Sequence, residues 1–335
     1  MKKAMALLLC GCFLLTACSC GPKEETTEFT AMDTLISIRV SRSNGGRTED
    51  VLKAFTHRVK ELETLFDANC QDSDVFAING KDTGVRVSKD TAAILEKSIY
   101  ANTITEGAFD ITVMPLLKLW GFDSGNYCVP KKEDIKNALE NMNSNGISVE
   151  GTTVTKSANT QISLGGIAKG YAGDELLKIA EENGVSGVIS LGGNIVLCGE
   201  NTQKGSWTVG VKNPVDTDSL VCTFNHKGNV SVVTSGGYER SFTKDGKTYH
   251  HIIDTKTGEP AETDLLSVTV IGGDGALCDA FSTALFVMGK EKAVKFAEEH
   301  NDFEYIFITD KKEIIKTGGV SGFEILSEDF ILTDK

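Results

Sequence analysis

Four short segments of this chain carry residue types whose spacing suits phosphate and proton chemistry. Leu164-Gly165-Gly166-Ile167-Ala168-Lys169-Gly170 precedes a helical pattern expected to begin near Tyr171. Glycines at such a junction let the backbone approach a ligand closely, and the first free N–H groups of the helix point at whatever sits there. Lys169 adds a mobile cation, so the segment suits a phosphate. It is neither a G-x-G-x-x-G fingerprint nor a Walker loop, and a Gly-rich turn alone is more often only a turn. Ser190-Leu191-Gly192-Gly193-Asn194 follows a strand-like run; it would form a second wall against a flat ligand or simply close a tight hairpin.

In Asp279-Ala280-Phe281-Ser282-Thr283 a carboxylate and a hydroxyl stand four apart, on one face of a helix. Two hard oxygens with an open remainder suit magnesium completed by phosphates and water. The bland reading makes Asp279 an N-cap, with Thr283 bonded back to its own helix. The fourth segment, Tyr249-His250-His251-Ile252-Ile253-Asp254-Thr255-Lys256-Thr257-Gly258, places two histidines and an aspartate ahead of a turn. His251 alternates with apolar Ile252, so one of the two histidines should face inward, as a proton acceptor or as a buried structural ring.

These segments need elements to hold them. Alternation over Thr34–Val40 predicts a first strand, and Val51, Phe55, Val59, Leu62 and Phe66 keep a helical period from Val51 to Phe66. Strand-like runs follow at Gly187–Leu191, Trp207–Val211, Val230–Thr234, Leu266–Ile271 and Tyr305–Thr309. Helices are expected at Ala172–Glu182, Asp279–Met288 and Glu291–His300, the last with a stop at His300-Asn301. Strands and helices without a strict βαβ rhythm favour an α+β fold, with mixed sheets and packed helices. No repeat or internal linker divides the sequence.

The N-terminus has the layout of a secretory signal: Lys2 and Lys3, then an apolar run through Leu7, Leu8, Leu9, Phe13, Leu14 and Leu15. The run is too short to span a bilayer comfortably. Leu15-Thr16-Ala17-Cys18 resembles the lipobox at which bacteria lipidate the cysteine and cut before it, making Cys18 the mature N-terminus. Residues 1–17 are therefore read as a lipoprotein signal peptide and 18–28 as a polar, breaker-rich flexible tether. Residues 29–335 are read as one continuous globular unit. Of nine cysteines, four belong to the leader and its junction, and Cys70, Cys128, Cys198, Cys222 and Cys278 form no CxxC pair. A disulfide framework or structural zinc is not expected from that spacing. The net charge of −13 argues against nucleic acid as a partner, though a local phosphate site can oppose the global charge.

Taken together the segments resemble the ApbE family, the FAD:protein FMN transferases, over nearly all of the mature chain. Ala31-Met32-Asp33-Thr34 looks like the family's first motif, and Phe109-Asp110-Ile111-Thr112 through Pro115-Leu116 and Leu119-Trp120-Gly121-Phe122 like its second. Leu164–Tyr171, Leu191–Asn194, Thr234-Ser235-Gly236 with Tyr238-Glu239-Arg240, His251–Gly258 and Asp279–Thr283 follow in the family's order. The resemblance implies one compact unit of two intertwined subdomains. It implies FAD contacts at Met32, Asn69, Ala108, Phe109, Asp110, Ser163, Lys169 and Ile253. It implies Mg2+ held by the side chains of Asp279 and Thr283 and main-chain oxygens of Gly166 and Ser282, completed by the FAD pyrophosphate. His251 matches the catalytic histidine. The implied reaction moves the FMN half of FAD to a threonine or serine of another protein and releases AMP.

The acceptors implied are periplasmic domains of redox proteins, reached by an enzyme lipid-anchored in the inner membrane and facing the periplasm. Two departures from the family pattern stand out. Ser163 stands where the family commonly has Asp, and Leu65-Phe66-Asp67-Ala68-Asn69 has Asp67 and Asn69 where Ser and an aromatic are usual. A small polar Asn69 would leave the flavin site less covered and let water compete, which makes an FAD pyrophosphatase the enzymatic rival. A passive flavin-binding lipoprotein is the other, but it needs neither His251 nor the Asp279/Thr283 pair. Asp274-Gly275-Ala276 is followed by Leu277, which has no hydroxyl, so self-modification is not expected.

Overall fold

The structure is a computed structural model describing residues 24–42, 47–81, 84–201 and 203–333. The signal segment, the lipobox and Cys18 lie outside the described residues. In chain order the strands are β1 (Glu24–Ala31), β2 (Thr34–Arg42), β3 (Val85–Arg86), β4 (Ser148–Glu150), β5 (Thr153–Thr155), β6 (Val185–Leu191), β7 (Asn194–Cys198), β8 (Trp207–Lys212), β9 (Leu220–His226), β10 (Val230–Gly236), β11 (Ser241–Lys244), β12 (Lys247–His250), β13 (Leu265–Gly272), β14 (Glu304–Thr309), β15 (Glu313–Lys316), β16 (Ser321–Ile325) and β17 (Ile331–Leu332). The helices are α1 (Thr48–Phe66), α2 (Asp74–Asn79), α3 (Lys89–Ile104), α4 (Met114–Trp120), α5 (Lys132–Glu140), α6 (Ala168–Asn183), α7 (Gly275–Met288) and α8 (Lys290–Glu299).

Nine strands make one sheet in the order β1-β2-β6-β7-β10-β13-β14-β15-β17, antiparallel except where β17 joins β15. The central strands are apolar on both sides, as double-sided burial requires. Val233, Val268 and Val270 pack with Phe55, Leu176 and Phe281 of α1, α6 and α7. Val230, Val232 and Ile271 on the opposite face pack with Val209, Val221 and Phe224 of the small sheet β16-β9-β8. A third cluster of Leu116, Trp120, Phe122, Ile135 and Ile253 joins α4 and α5 to the segment after β12. The chain leaves the large sheet after β2, β7, β10 and β15 and returns to it each time, so the smaller sheets are interleaved with it in sequence. This is the α+β architecture with a mixed sheet that the element pattern predicts.

Two boundaries differ from the sequence reading. Glu24–Glu28, assigned there to the tether, pair in β1 with β2, from Glu24 opposite Ser41 to Ala31 opposite Thr34. β1 is an edge strand whose residues alternate between exposed and half-buried up to Ala31, so main-chain bonds to β2 order it without an apolar face that the sequence could show. The second helix of the site, α6, starts at Ala168, which puts Lys169 and Gly170 in its first turn. Among the described residues no helix is long and apolar enough to cross a membrane, and the five cysteines outside the leader are free thiols.

The helices α6 and α7 cross at glycines. A Cβ placed on Gly170 would lie 2.1 Å from the carbonyl oxygen of Gly275 and 2.8 Å from Asp279 Cβ. Only hydrogen at this position lets the two backbones touch. Gly170→Ala should therefore push α6 off α7 at a cost of about 1–3 kcal/mol or more, read as a lower thermal midpoint with helical content retained. An unchanged midpoint would show that the crossing has slack.

Candidate functional site

The site forms where α6 begins, α7 passes and the chain leaves β12. Asp279 lies within α7, only 4% exposed, and its Oδ2 accepts the Gly170 N–H at 2.9 Å. It is therefore not an N-cap: that role falls to Asp274, whose Oδ1 accepts from Leu277 N, while Asp174 accepts from Gly275 N and Ala276 N. Burial, then the charge of nearby Asp274, raise the Asp174 carboxyl to about 6. Ser282 Oγ lies 2.8 Å and Thr283 Oγ1 3.4 Å from Ser235 Oγ at the end of β10. Ser282 Oγ also donates to the Asp279 carbonyl at 2.9 Å. Ser235 thus contacts the hydroxyls three and four residues, about one helical turn, along from the buried carboxylate, a role that its place in Thr234-Ser235-Gly236 marks only by motif.

The donors fit a small hard cation. The set that the resemblance implies is the Asp279 carboxylate and the Thr283 hydroxyl, with main-chain oxygens at Gly166 and Ser282. The structure brings Asp279 against Gly170, and Ser282 and Thr283 against Ser235; among the described residues no group of three or more His, Cys, Asp or Glu side chains comes together that could hold a metal ion. A protein offering so few charged ligands suits magnesium, which keeps waters and completes its shell on substrate phosphates.

His251 follows β12 directly. Its Nδ1 lies 3.2 Å from the Arg240 carbonyl, which also accepts the His251 main-chain N–H at 3.0 Å. A carbonyl can only accept, so Nδ1 carries the hydrogen and Nε2 keeps its lone pair. Burial pushes the ring down to about 4; the Arg240 carbonyl opposes this weakly, and the charges of Arg240 and Lys169 add to it. The imidazole is neutral at pH 7. His250 is tied elsewhere, its Nε2 donating to the Ala261 carbonyl at 3.1 Å, so the two rings are held by different main-chain carbonyls.

The remaining predicted residues cluster unevenly. The Phe109 ring packs on the Gly-rich turn, 3.2 Å from where a Gly166 Cβ would stand, and Ser163 N donates to the Ile111 carbonyl at 2.8 Å. Ala108 and Phe109 are buried. Asp110 caps the 3-10 turn Ile111–Val113 through Thr112 and also accepts from Ser144. Thr255 Oγ1 donates to the Gly107 carbonyl at 2.6 Å, drawing the His251–Gly258 segment onto the Gly107–Asp110 segment. Met32 sits in the two-residue turn between β1 and β2 at φ 51°, with its N–H donated to Glu63 Oε1 at 2.6 Å. Ile253 is different: its side chain fills the cluster with Trp120 and Ile135, leaving only main chain for a ligand. Asn69 is exposed on the loop after α1, its N–H turned to Asp67 Oδ1. Gly192 and Gly193 close the β6–β7 hairpin, with Gly192 at φ 69°. Ser235, Arg240 and Thr255 stood in motifs quoted from the sequence but were given no role there, and Glu63 was not singled out, because each acts through a main-chain atom or a second hydroxyl.

An α+β scaffold thus converges a helix N-terminus with a lysine, a hard-oxygen set and a neutral histidine. The ApbE family model matches residues 32–307, and the chain belongs to the ApbE family. It is 31% identical over 346 residues to the FAD:protein FMN transferase of Treponema pallidum (strain Nichols), covering 96% of each protein. It is 34% identical over 265 residues to the FAD:protein FMN transferase of Klebsiella pneumoniae (strain 342), covering 77% of this chain and 81% of that one. The fold matches the crystal structure of the ApbE protein of Thermotoga maritima with TM-score 0.81 at 31% identity, over 91% of this chain and 97% of that one. The flavin transferase ApbE from Vibrio cholerae matches with TM-score 0.78 at 26% identity, over 92% and 99%.

Proposed function

We propose that this protein is an FAD:protein FMN transferase that moves the FMN half of FAD to a threonine or serine hydroxyl of a target protein and releases AMP. The observation that carries the reading is the neutral His251, its Nδ1 tied to Arg240, with the Lys169 charge close enough to lower its basicity. Nε2 takes the proton of the incoming hydroxyl as that oxygen bonds to the FMN phosphorus. The bond from this phosphorus to the bridging oxygen breaks, and AMP carries the electron pair away. The first free N–H groups of α6 and the Lys169 ammonium suit the pyrophosphate, and Phe109 backs the Gly-rich turn. Magnesium bound by Asp279, Thr283, Gly166 and Ser282 would neutralise pyrophosphate charge.

The N-terminal sequence supports lipid anchoring through Cys18 and a periplasmic acceptor domain of a redox protein as the partner. The test incubates the mature protein with FAD and magnesium, with and without such a domain. AMP together with acceptor-bound FMN is the expected result. Unreacted FAD would reduce the protein to a flavin binder.

The exposure of Asn69 favours water as a competing nucleophile, with free FMN and AMP as products. Asn69→Tyr should then lower free FMN relative to acceptor-bound FMN while FAD affinity holds or rises, because an aromatic ring excludes water and can pack on the isoalloxazine. The ratio is measured at fixed magnesium. No wild-type hydrolysis, or an unchanged ratio, removes Asn69 as a gate.

A further inference from the structure

Asn194 opens β7 just after the Gly192-Gly193 turn, and it is 3% exposed. Its Nδ2 is buried and has no hydrogen-bond partner among the described residues. A buried donor without an acceptor is costly, so its retention calls for an explanation. The register places Asn194 opposite Val233, on the sheet face that carries Ser235 and looks toward α6 and α7. Two residues further along the same face, Val196 meets α6 at Gly173, with 2.8 Å from its Cγ2 to a Cβ placed there. Ser231, opposite Val196, meets the start of α7 at Gly275. From that crossing α7 runs to Asp279 and then to Ser282 and Thr283 at Ser235, and α6 runs back to Gly170 on Asp279. Asn194 is therefore on the sheet face that α6 and α7 cover, between the crossing at Gly275 and the end of β10 where Ser282 and Thr283 meet Ser235.

We propose that Asn194 is a further FAD-binding residue whose Nδ2 donates a hydrogen bond to a phosphoryl oxygen of the pyrophosphate. This rests on the FAD reading above. The carboxamide is neutral, so it adds a directed donor where Lys169 supplies charge. Nothing else among the described residues takes that hydrogen.

The test compares the mature wild-type protein with Asn194→Leu and Asn194→Asp, by titration with FAD and by riboflavin competing for the same site. Asn194→Leu removes the orphaned donor at similar volume, so the ligand-free protein should keep or raise its thermal midpoint while FAD affinity falls about ten- to hundredfold. Asn194→Asp puts an acceptor where the donor stood and should weaken FAD at least as much. Riboflavin, which has no phosphate, should bind all three proteins alike. Equal loss for riboflavin would overturn the assignment to the pyrophosphate. A lower midpoint for the leucine variant, or its failure to fold, with FAD affinity unchanged in the aspartate variant would make Asn194 structural. If wild type binds FAD and both variants match it, the Asn194 inference alone fails; if wild type does not bind FAD, the transferase reading fails with it.

Discussion

Asp279→Ala is expected to abolish transfer while FAD still binds measurably. Most candidate flavin contacts lie on other segments, at Met32, Phe109, Asp110 and the start of α6, whereas Asp279 is the only carboxylate in the hard-oxygen set on α7. Without it the hydroxyl of Thr283 and two main-chain oxygens are too weak to hold a divalent cation against water. The alanine has a second effect, because Gly170 N–H loses its acceptor at the α6–α7 crossing. An unsatisfied buried N–H costs about 1–3 kcal/mol, so loss of activity alone would not separate cation binding from scaffold damage. Asp279→Asn separates them: its carboxamide oxygen can still accept from Gly170, but the charge is gone. Both variants should be inactive, with the asparagine protein close to wild type in thermal midpoint. Wild-type turnover that is equal with and without EDTA, or an active asparagine variant, would show that the carboxylate serves the helix crossing rather than a metal.

How far such residues can be read from sequence depends on where their partners come from. The helical period through Val51, Phe55, Val59, Leu62 and Phe66 marked α1, since one helix face buries all five. The period was muted in α3, whose buried positions include Thr91, Ala92, Ser98 and Ala101, and the element was not anticipated even though Ser88 caps it. Small residues at a tight helix contact carry little hydrophobic signal. The face shared by Asp279 and Thr283 was legible because four-residue spacing is a property of the helix itself. The burial of Asp279 was not, because Gly170 lies 109 positions away. The division of labour between His250 and His251 likewise needed the fold: alternation says that one ring turns inward, while Arg240 and Ala261 decide which atom of each ring is held. Asn194 shows the reverse. Its motif was plain in the sequence, but only the sheet register and its empty hydrogen-bonding position suggest a use.

His251→Ala should leave FAD bound and slow transfer by about 10²–10⁴, the usual worth of a positioned general base. The geometry adds a pH prediction. In the fold the ring sits at about 4, because burial disfavours the imidazolium more than the Arg240 carbonyl favours it. The neutral base is then fully present from pH 6 to 8, and this group alone gives a flat transfer rate across that range, falling only as the pH approaches its depressed value. The same depression favours folding above the ordinary histidine value near 6.5. That contribution is lost as pH falls from there through about 4, since the unfolded chain binds the proton more readily. The alanine variant should therefore lose less stability than wild type between pH 6 and 4. His250 supplies the control. With its Nε2 committed to Ala261, His250→Ala should lower the thermal midpoint more than it slows the chemistry. An unchanged transfer rate in His251→Ala, or a wild-type rate that titrates near 6.5 and keeps that step in the variant, would move the base to another group.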